Sequence, residues 1–415
     1  MHYARWYYML TLMMSLCTIT SLQREDVDWG RAIKWTLAIT LIIGLSIGLM
    51  PTISTNSTTN TKTTTYGLEK YPTRFWAYVA IALVSLLLLV IVFKYYKNHK
   101  RLFLRMATGG VAIITVVYSL FYITTGKTQS DDTHNEIIPY ALNGGKDISL
   151  PSDGKQFCRI DVYDGMDNLP MYWKRPTIQA FHSIVPGSIM EFYPTVGVTR
   201  DVGSRPGVEV YAIRSLLSCR WLFDPMNHGQ DFIDPNTSGT RMPGWKYYAT
   251  QNGSKIYENQ YFIPMGFSYD KYITRTEYNT LPEANRSLAL LKAIVVEDTA
   301  VQKAKEGGLT HYDKIDSASF AEEAYFADCK ARAETACSSF TTDSKGFSAE
   351  ATSSKDRLVF FSVPYEKGWS ASVNGSAAEI VKVNVGFMAV KIPSGKAEIR
   401  FEYRTPGLKP GIAVT

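Results

Sequence analysis

The sequence predicts a multi-span α-helical membrane region followed by an extracytoplasmic mixed α/β domain and a C-terminal β-sandwich. Long apolar runs lie almost entirely before Gly126, and acidic residues almost entirely after it. From Lys127 onward the chain breaks into short alternating segments punctuated by Gly, Pro, Asn and Asp, the pattern of a β-rich fold. A length of 415 residues suggests two or three folding units, and an average of 20% charged residues conceals two halves suited to two solvents. The formal net charge of +6 is spread among interspersed Lys, Arg, Asp and Glu, so no nucleic-acid partner is expected.

The membrane region is expected over residues 1–126, with spans at about 6–22, 33–50, 75–93 and 104–124. Phe75 to Phe93 and Met106 to Gly126 contain no charged residue, and about 20 apolar residues in a helix cross a hydrocarbon core of about 30 Å. Trp35 to Met50 is a third run, ended by Pro51. The first run, Trp6 to Leu22, is shorter and carries Ser15, Thr18 and Thr20. A signal peptide competes with a span there; the span is preferred because the run has one basic residue and no clear small-residue cleavage site.

Basic residues set the orientation. Lys94, Lys97, Lys100, Arg101 and Arg105 crowd the last connection, and Arg24, Arg31 and Lys34 lie between the first two runs. The positive-inside rule makes both connections cytoplasmic, which sends the Thr/Ser/Asn-rich loop 52–71 and everything after Gly126 outside. That loop reads as a flexible, solvated connector. Trp76, Tyr78, Tyr118 and Tyr122 suit an interfacial aromatic belt.

Residues 127–310 are expected to form a mixed α/β domain. Phe157 to Tyr163, Arg220 to Phe223 and Phe262 to Tyr272 read as strands, whereas Tyr211 to Cys219 and Ala284 to Val295 carry helical spacing. Residues 311–407 are expected to form a helix plus a β-sandwich. The helix is Ser319 to Cys337; the strands are Leu358 to Val363, Ser370 to Val373, Ala378 to Val383, Phe387 to Ile392 and Ala397 to Tyr403. Asn374-Gly375 is a strong hairpin signal, because both residues accept positive φ. Residues 408–415 read as the truncated start of a further apolar segment.

Of five cysteines, Cys158, Cys219, Cys329 and Cys337 lie in the second half, without a C-x-x-C pair, so no zinc site is expected. Disulfides and free buried thiols both remain open for these four. Cys329 and Cys337 would sit about 12 Å apart along a continuous helix, too far to bridge unless the helix breaks.

Several words of the sequence resemble the bacterial YfhO family of membrane proteins. They are Val359-Phe360-Phe361-Ser362-Val363-Pro364-Tyr365-Glu366-Lys367-Gly368-Trp369, Val373-Asn374-Gly375 and Asn384-Val385-Gly386-Phe387-Met388. Tyr257-Glu258-Asn259, Ile263-Pro264-Met265-Gly266-Phe267, Arg214-Ser215-Leu216-Leu217-Ser218 and Tyr3-Ala4-Arg5-Trp6-Tyr7-Tyr8-Met9 add to them. The resemblance covers nearly the whole chain, although members of the family are about twice as long. It implies a GT-C glycosyltransferase-like protein of the bacterial cytoplasmic membrane. Such proteins take sugar from a polyprenyl-phosphate donor and pass it to a cell-surface acceptor, a teichoic acid in Gram-positive relatives. The family's catalytic acidic residue stands in a first outer loop of an N-terminal half that this chain lacks. The chain is therefore read as the C-terminal part of such a protein, its outer domain holding acceptor near the membrane. The alternative is a non-catalytic, membrane-anchored module that binds glycan or protein. No cofactor is expected in this portion; the bilayer, and a cell-surface glycan or teichoic-acid-like acceptor, are the expected partners.

Such a reaction needs a carboxylate outside the membrane and close to it. Glu69 is the acidic residue of the outer loop, Asp26 and Asp28 fall on the cytoplasmic side, and Asp131-Asp132 sit in a polar linker, so no catalytic residue is assigned. Candidate glycan- or phosphate-binding residues are His182, Arg200 with Asp201 (Arg205 close by), and Trp369. The plainer readings are a hydrogen-bonded core histidine, solvated loop charges and a core tryptophan. Trp173, Trp221 and Trp245 carry the same ambiguity.

Overall fold

The computed structural model describes residues 7–24, 26–55, 62–69, 71–129, 138–200, 203–225, 232–233, 240–313, 315, 317–408 and 411–412. The chain divides into two compact units, residues 1–135 and 136–415.

The first unit carries α1 (Tyr7–Gln23), α2 (Trp29–Leu49), the strands β1 (Pro51–Thr55) and β2 (Lys62–Tyr66), α3 (Pro72–Tyr96) and α4 (Lys100–Gln129). Among the described residues, α2, α3 and α4 are long and apolar enough to cross a membrane. The four expected spans thus become three by length, because α1 has 17 described residues against the roughly 20 that a bilayer core requires. The three qualifying helices also start earlier than expected, since interfacial residues extend them. Asp28 caps α2 by accepting a hydrogen bond from the Arg31 amide at 3.0 Å, and Pro72 opens α3 at a position where a missing N–H costs nothing. Their side chains stay largely uncovered: Ile42, Leu87 and Ile113 are each more than half exposed, as residues facing lipid would be.

Helices α2 and α3 pack through two glycines one turn apart. Gly44 rests against Val79, and a Cβ on Gly48 would lie 2.4 Å from the Trp76 ring. Small residues at this spacing let helices approach where lipid supplies no hydrophobic drive. The Thr-rich loop is not simply a connector. β1 and β2 pair antiparallel from Pro51↔Tyr66 to Thr55↔Lys62, because a run of β-branched threonines favours extended backbone.

The second unit contains α5 (Ile138–Asn143), β3 (Arg159–Val162), α6 (Leu169–Tyr172), α7 (Gly187–Thr195), α8 (Tyr211–Leu216) and β4 (Cys219–Asp224). Next come β5 (Trp245–Gln251), β6 (Ser254–Asn259), β7 (Phe267–Ser268), β8 (Lys271–Thr274), α9 (Arg275–Thr280), α10 (Glu283–Lys292) and β9 (Ile294–Val296). They are followed by α11 (Val301–Glu306), β10 (Thr310–His311), α12 (Glu322–Glu334), β11 (Ser339–Thr342), β12 (Gly346–Ser353) and β13 (Arg357–Pro364). β14 (Trp369–Val373), β15 (Ser376–Ala378), β16 (Ile380–Val383), β17 (Phe387–Ile392) and β18 (Gly395–Tyr403) complete it.

These strands form three sheets, in the orders β3-β4-β6-β5, β10-β8-β9-β16-β17-β13-β7 and β11-β12-β18-β14-β15. The seven-stranded sheet takes strands from both sides of residue 310, where two separate outer domains were expected, and both stretches belong to one compact unit. The five expected C-terminal strands all form, but they divide between two sheets: β13, β16 and β17 enter the seven-stranded one, β14 and β18 the five-stranded one. Burial explains the division. Along β13, Leu358 and Phe360 face a core shared with α8, α9 and α10. Val359 and Phe361 instead face Phe347, Ile399 and Phe401 of the five-stranded sheet. A strand covered on both faces reads as a continuous apolar run rather than an alternating one, as this segment does.

The expected strand Phe262 to Tyr272 resolves into β7 and β8, and the expected helix Ala284 to Val295 into α10 followed by β9. The expected helix to Cys337 ends at Glu334, and all five cysteines are free thiols.

Candidate functional site

A cleft of about 760 Å³ opens within the second unit, where the turns of residues 151–158 and the loop Trp173 to Pro176 face Met265 and β11. Local sequence builds each wall. The turns are held by Asp153, which accepts from the Leu150 amide at 2.9 Å and takes a bidentate pair from Arg175, Nη1 at 2.6 Å and Nη2 at 2.9 Å. That guanidinium holds the Asp153 carboxyl below its ordinary range. Trp173 ends α6, and the absence of a side chain on Gly145 makes room for it: a Cβ there would sit 2.5 Å from the indole. Trp173 is buried, and its Nε1 has no partner among the described residues.

On the other wall stands β11, the edge strand of the five-stranded sheet. An edge strand leaves backbone donors and acceptors available to whatever lies alongside it. Its Phe340 meets Phe157 with ring centroids 4.7 Å apart, and both rings line the cleft. Beside the cleft, Arg159 ties β3 to the end of α8 and to β13. Its Nη1 donates to the Leu217 carbonyl and Ser362 Oγ, both at 2.8 Å, and its Nη2 to the Ser362 carbonyl at 3.0 Å. Burial brings this guanidinium down to about 10, so it remains charged at neutral pH.

Lys155 and Lys174 stand exposed at the rim. Cys158 and Cys337 also line the cleft, yet burial raises both thiols, Cys337 to about 12, which keeps them protonated and unreactive. Asp153 is the cleft's carboxylate, and its clamp to Arg175 makes it a poor general base at neutral pH. Among the described residues no group of His, Cys, Asp or Glu is placed to hold a metal ion. The arrangement joins flat aromatic faces to hydroxyls and cations, which suits binding of a polar, ring-shaped ligand.

Apart from Trp173, the described binding candidates singled out from sequence do not line this cleft. His182 is exposed, not buried, and its Nδ1–H donates to the Ile184 carbonyl at 2.8 Å. Arg200 is buried, with Nε and Nη1 unpartnered among the described residues, while Asp201 lies outside the described residues. Arg205 pairs with Asp164 at 2.9 Å and Asp167 at 3.2 Å; with Phe181, Thr199 and Glu209 it borders a second cavity of about 470 Å³. Trp369 is half-buried against Phe347, Phe401 and Tyr403, the core role.

The remaining acidic residues have structural roles: Asp26 binds Arg24 at 2.5 Å, Asp28 caps α2 and Glu69 binds Arg74 at 2.8 Å. Asp131 and Asp132 lie outside the described residues. Trp173 was visible in the sequence as one of several tryptophans. Phe157 and Phe340 were not, because nothing local links residues so far apart.

A family model described as "Bacterial membrane protein YfhO" matches residues 1–335 and 318–415. A curated relative from Bacillus subtilis (strain 168), named "Uncharacterized protein YfhO", is 23% identical over 245 residues, which is 56% of this chain and 28% of the relative. The match therefore spans under a third of that relative's length. No solved structure matches.

Proposed function

Because the chain belongs to the YfhO family of bacterial membrane proteins, we propose that it is the C-terminal part of a glycosyltransferase-like membrane protein acting on cell-surface polymers. In this reading residues 136–415 lie outside the cytoplasm of a bacterial inner membrane. The support is the cluster of Lys94, Lys97, Lys100, Arg101 and Arg105 around the α3–α4 connection, which the positive-inside rule assigns to the cytoplasm. That assignment does not depend on whether α1 crosses.

The seven- and five-stranded sheets then act as a sandwich-like platform, and the cleft between Phe340 and Trp173 holds acceptor glycan. Sugar transfer from a polyprenyl-phosphate donor falls to parts of the longer protein that this chain does not include. One observation carries the reading: the cleft pairs aromatic faces with hydroxyls, cations and an open strand edge, and its carboxylate is locked to Arg175. The same locked carboxylate favours, as the second reading, a binding module without catalysis of its own.

Binding of glycan fragments released from the producing cell's envelope, measured by calorimetry on the full chain in nanodiscs, tests the proposal. Saturable binding is expected, weakened by about 1 kcal/mol, or roughly fivefold, in F157A and F340A. Binding unchanged in both variants, or none by the parent chain, refutes the assignment of the cleft. Turnover of a polyprenyl-phosphate sugar by these 415 residues alone would overturn the division of labour.

A further inference from the structure

An apolar surface in the second unit is left over by the cleft and by the core. It is built on α6 and the loop that follows. Leu169 and Pro170 root α6 in the interior, while Met171 and Tyr172 are 60% and 54% exposed. Asn168, in the left-handed region, clamps the loop to this helix: its Nδ2 donates to the Phe181 carbonyl at 3.1 Å, and its Oδ1 accepts from the Phe181 amide at 2.9 Å. Beyond the clamp, the His182 bond to the Ile184 carbonyl closes a tight turn. Pro186 then starts the turn into α7. Ile184 projects from this turn with 91% of its surface exposed, an extreme value for an isoleucine held in an ordered turn.

We propose that this surface is a membrane-contacting anchor. Ile184, Phe181 and Met171 enter the acyl boundary of a lipid leaflet, and Tyr172 and Lys174 lie at its headgroups. Two features favour lipid over a protein partner. The apolar side chains are already open to their surroundings, Ile184 at 91%, Met171 at 60% and Phe181 at 36% exposed, so a fluid acyl phase can cover them without a shaped receptor. The charges around it also suit headgroups. Asp164 and Asp167 are occupied by Arg205, Glu191 by Arg275 at 3.3 Å and Lys382 at 2.6 Å, and Lys174 stands exposed. Tyrosine and lysine beside an apolar tip are the side chains that settle at a membrane interface.

The occupant is also always within reach. The chain that carries this surface carries three helices of membrane-spanning length. The connection from Gln129 to Ile138 extends at most about 30 Å. A tether of that length holds the unit at high effective concentration beside a bilayer, so even a small apolar tip stays engaged.

The test places a nitroxide at position 184 (I184C) in the full chain carrying C17S, reconstituted in nanodiscs of phosphatidylglycerol and phosphatidylethanolamine. A label at Ser354, an exposed turn of the five-stranded sheet, serves as reference, and labelled C17S without a new cysteine as blank. Replacing a side chain as exposed as Ile184 removes no packing, so the variant folds as the parent does. Collision with dissolved oxygen is expected to exceed collision with a nickel chelate severalfold at 184, and the reverse at 354. A label at 184 as open to nickel as that at 354 overturns the proposal. So does a label shielded from both reagents, which would mean that protein covers the tip.

Discussion

The most telling single contact is one in which two charges sit entirely inside the protein. Arg214 Nε donates to Asp161 Oδ2 at 2.8 Å, with both side chains fully buried. The remaining donors of Arg214 reach the Gly207 and Pro206 carbonyls at 2.9 and 2.8 Å, and Gln179 Nε2 supplies Asp161 Oδ1 at 2.5 Å. Such a pair is tolerable because each guanidinium nitrogen of Arg214 and each carboxylate oxygen of Asp161 has a hydrogen-bond partner; removing one partner leaves the other charge buried without compensation. D161N is therefore expected to destabilise the chain by about 3–5 kcal/mol, read as a lower thermal midpoint in detergent. D161L combined with R214M is expected to cost much less. Equal losses in the single and double variants would deny the coupling. The arginine was visible in the sequence within an apolar word, Arg214-Ser215-Leu216-Leu217-Ser218, but its partner was not, because the arginine stands on α8 and the aspartate arrives from β3. The cleft has the same character: Trp173 could be noticed as a tryptophan, while Phe157 and Phe340 become a pair only when the turns before β3 meet β11.

At the scale of elements, what was legible followed from local rules. The uncharged run of α3 and the Asn374-Gly375 turn were readable, and the latter adopts φ of 51° and 78°. The same signal at Asn252-Gly253, with φ of 47° and 73°, joins β5 to β6 and was there to be read. Elements that depend on neighbours were harder to read. α10 and β9 ran together because Leu290, Leu291, Ile294 and Val295 are all buried, and Lys292 between them is a single interruption that a helical apolar face also tolerates. The Thr-rich hairpin was hidden by composition, since the same residues serve a solvated loop or an extended ladder. Packing of α2 on α3 supplies the test at this scale. Gly48 lets Phe75 and Trp76 lie against the α2 backbone, so G48L forces the helices apart at a cost of about 1–3 kcal/mol. Reduced crosslinking between cysteines placed on α2 and α3, relative to parent, is the expected outcome. Unchanged crosslinking would mean that this glycine contact does not hold the pair together.

For the whole molecule, the division into an apolar half and a polar half was written plainly in the distribution of charge, and the chain divides at residue 135. Unity of the second half was not legible. Sequence placed a boundary near residue 310, where a mixed α/β pattern gives way to a helix and then regular short strands. The seven-stranded sheet instead draws β7, β8 and β9 from before that point and β10, β13, β16 and β17 from after it. Strand partners as far apart in sequence as Ser268 and Val359, or Val296 and Val383, leave no local trace, because pairing is decided by which apolar faces need cover. Function at this scale turns on which side of the membrane the second unit occupies, since the glycan binding proposed for the cleft requires that it face outward. The direct measurement is labelling of a cysteine introduced at Ser354, in a C17S chain, with a membrane-impermeant thiol reagent on intact cells of the producing bacterium. The account predicts labelling of intact cells as complete as that of lysed ones; labelling that appears only after lysis would contradict it.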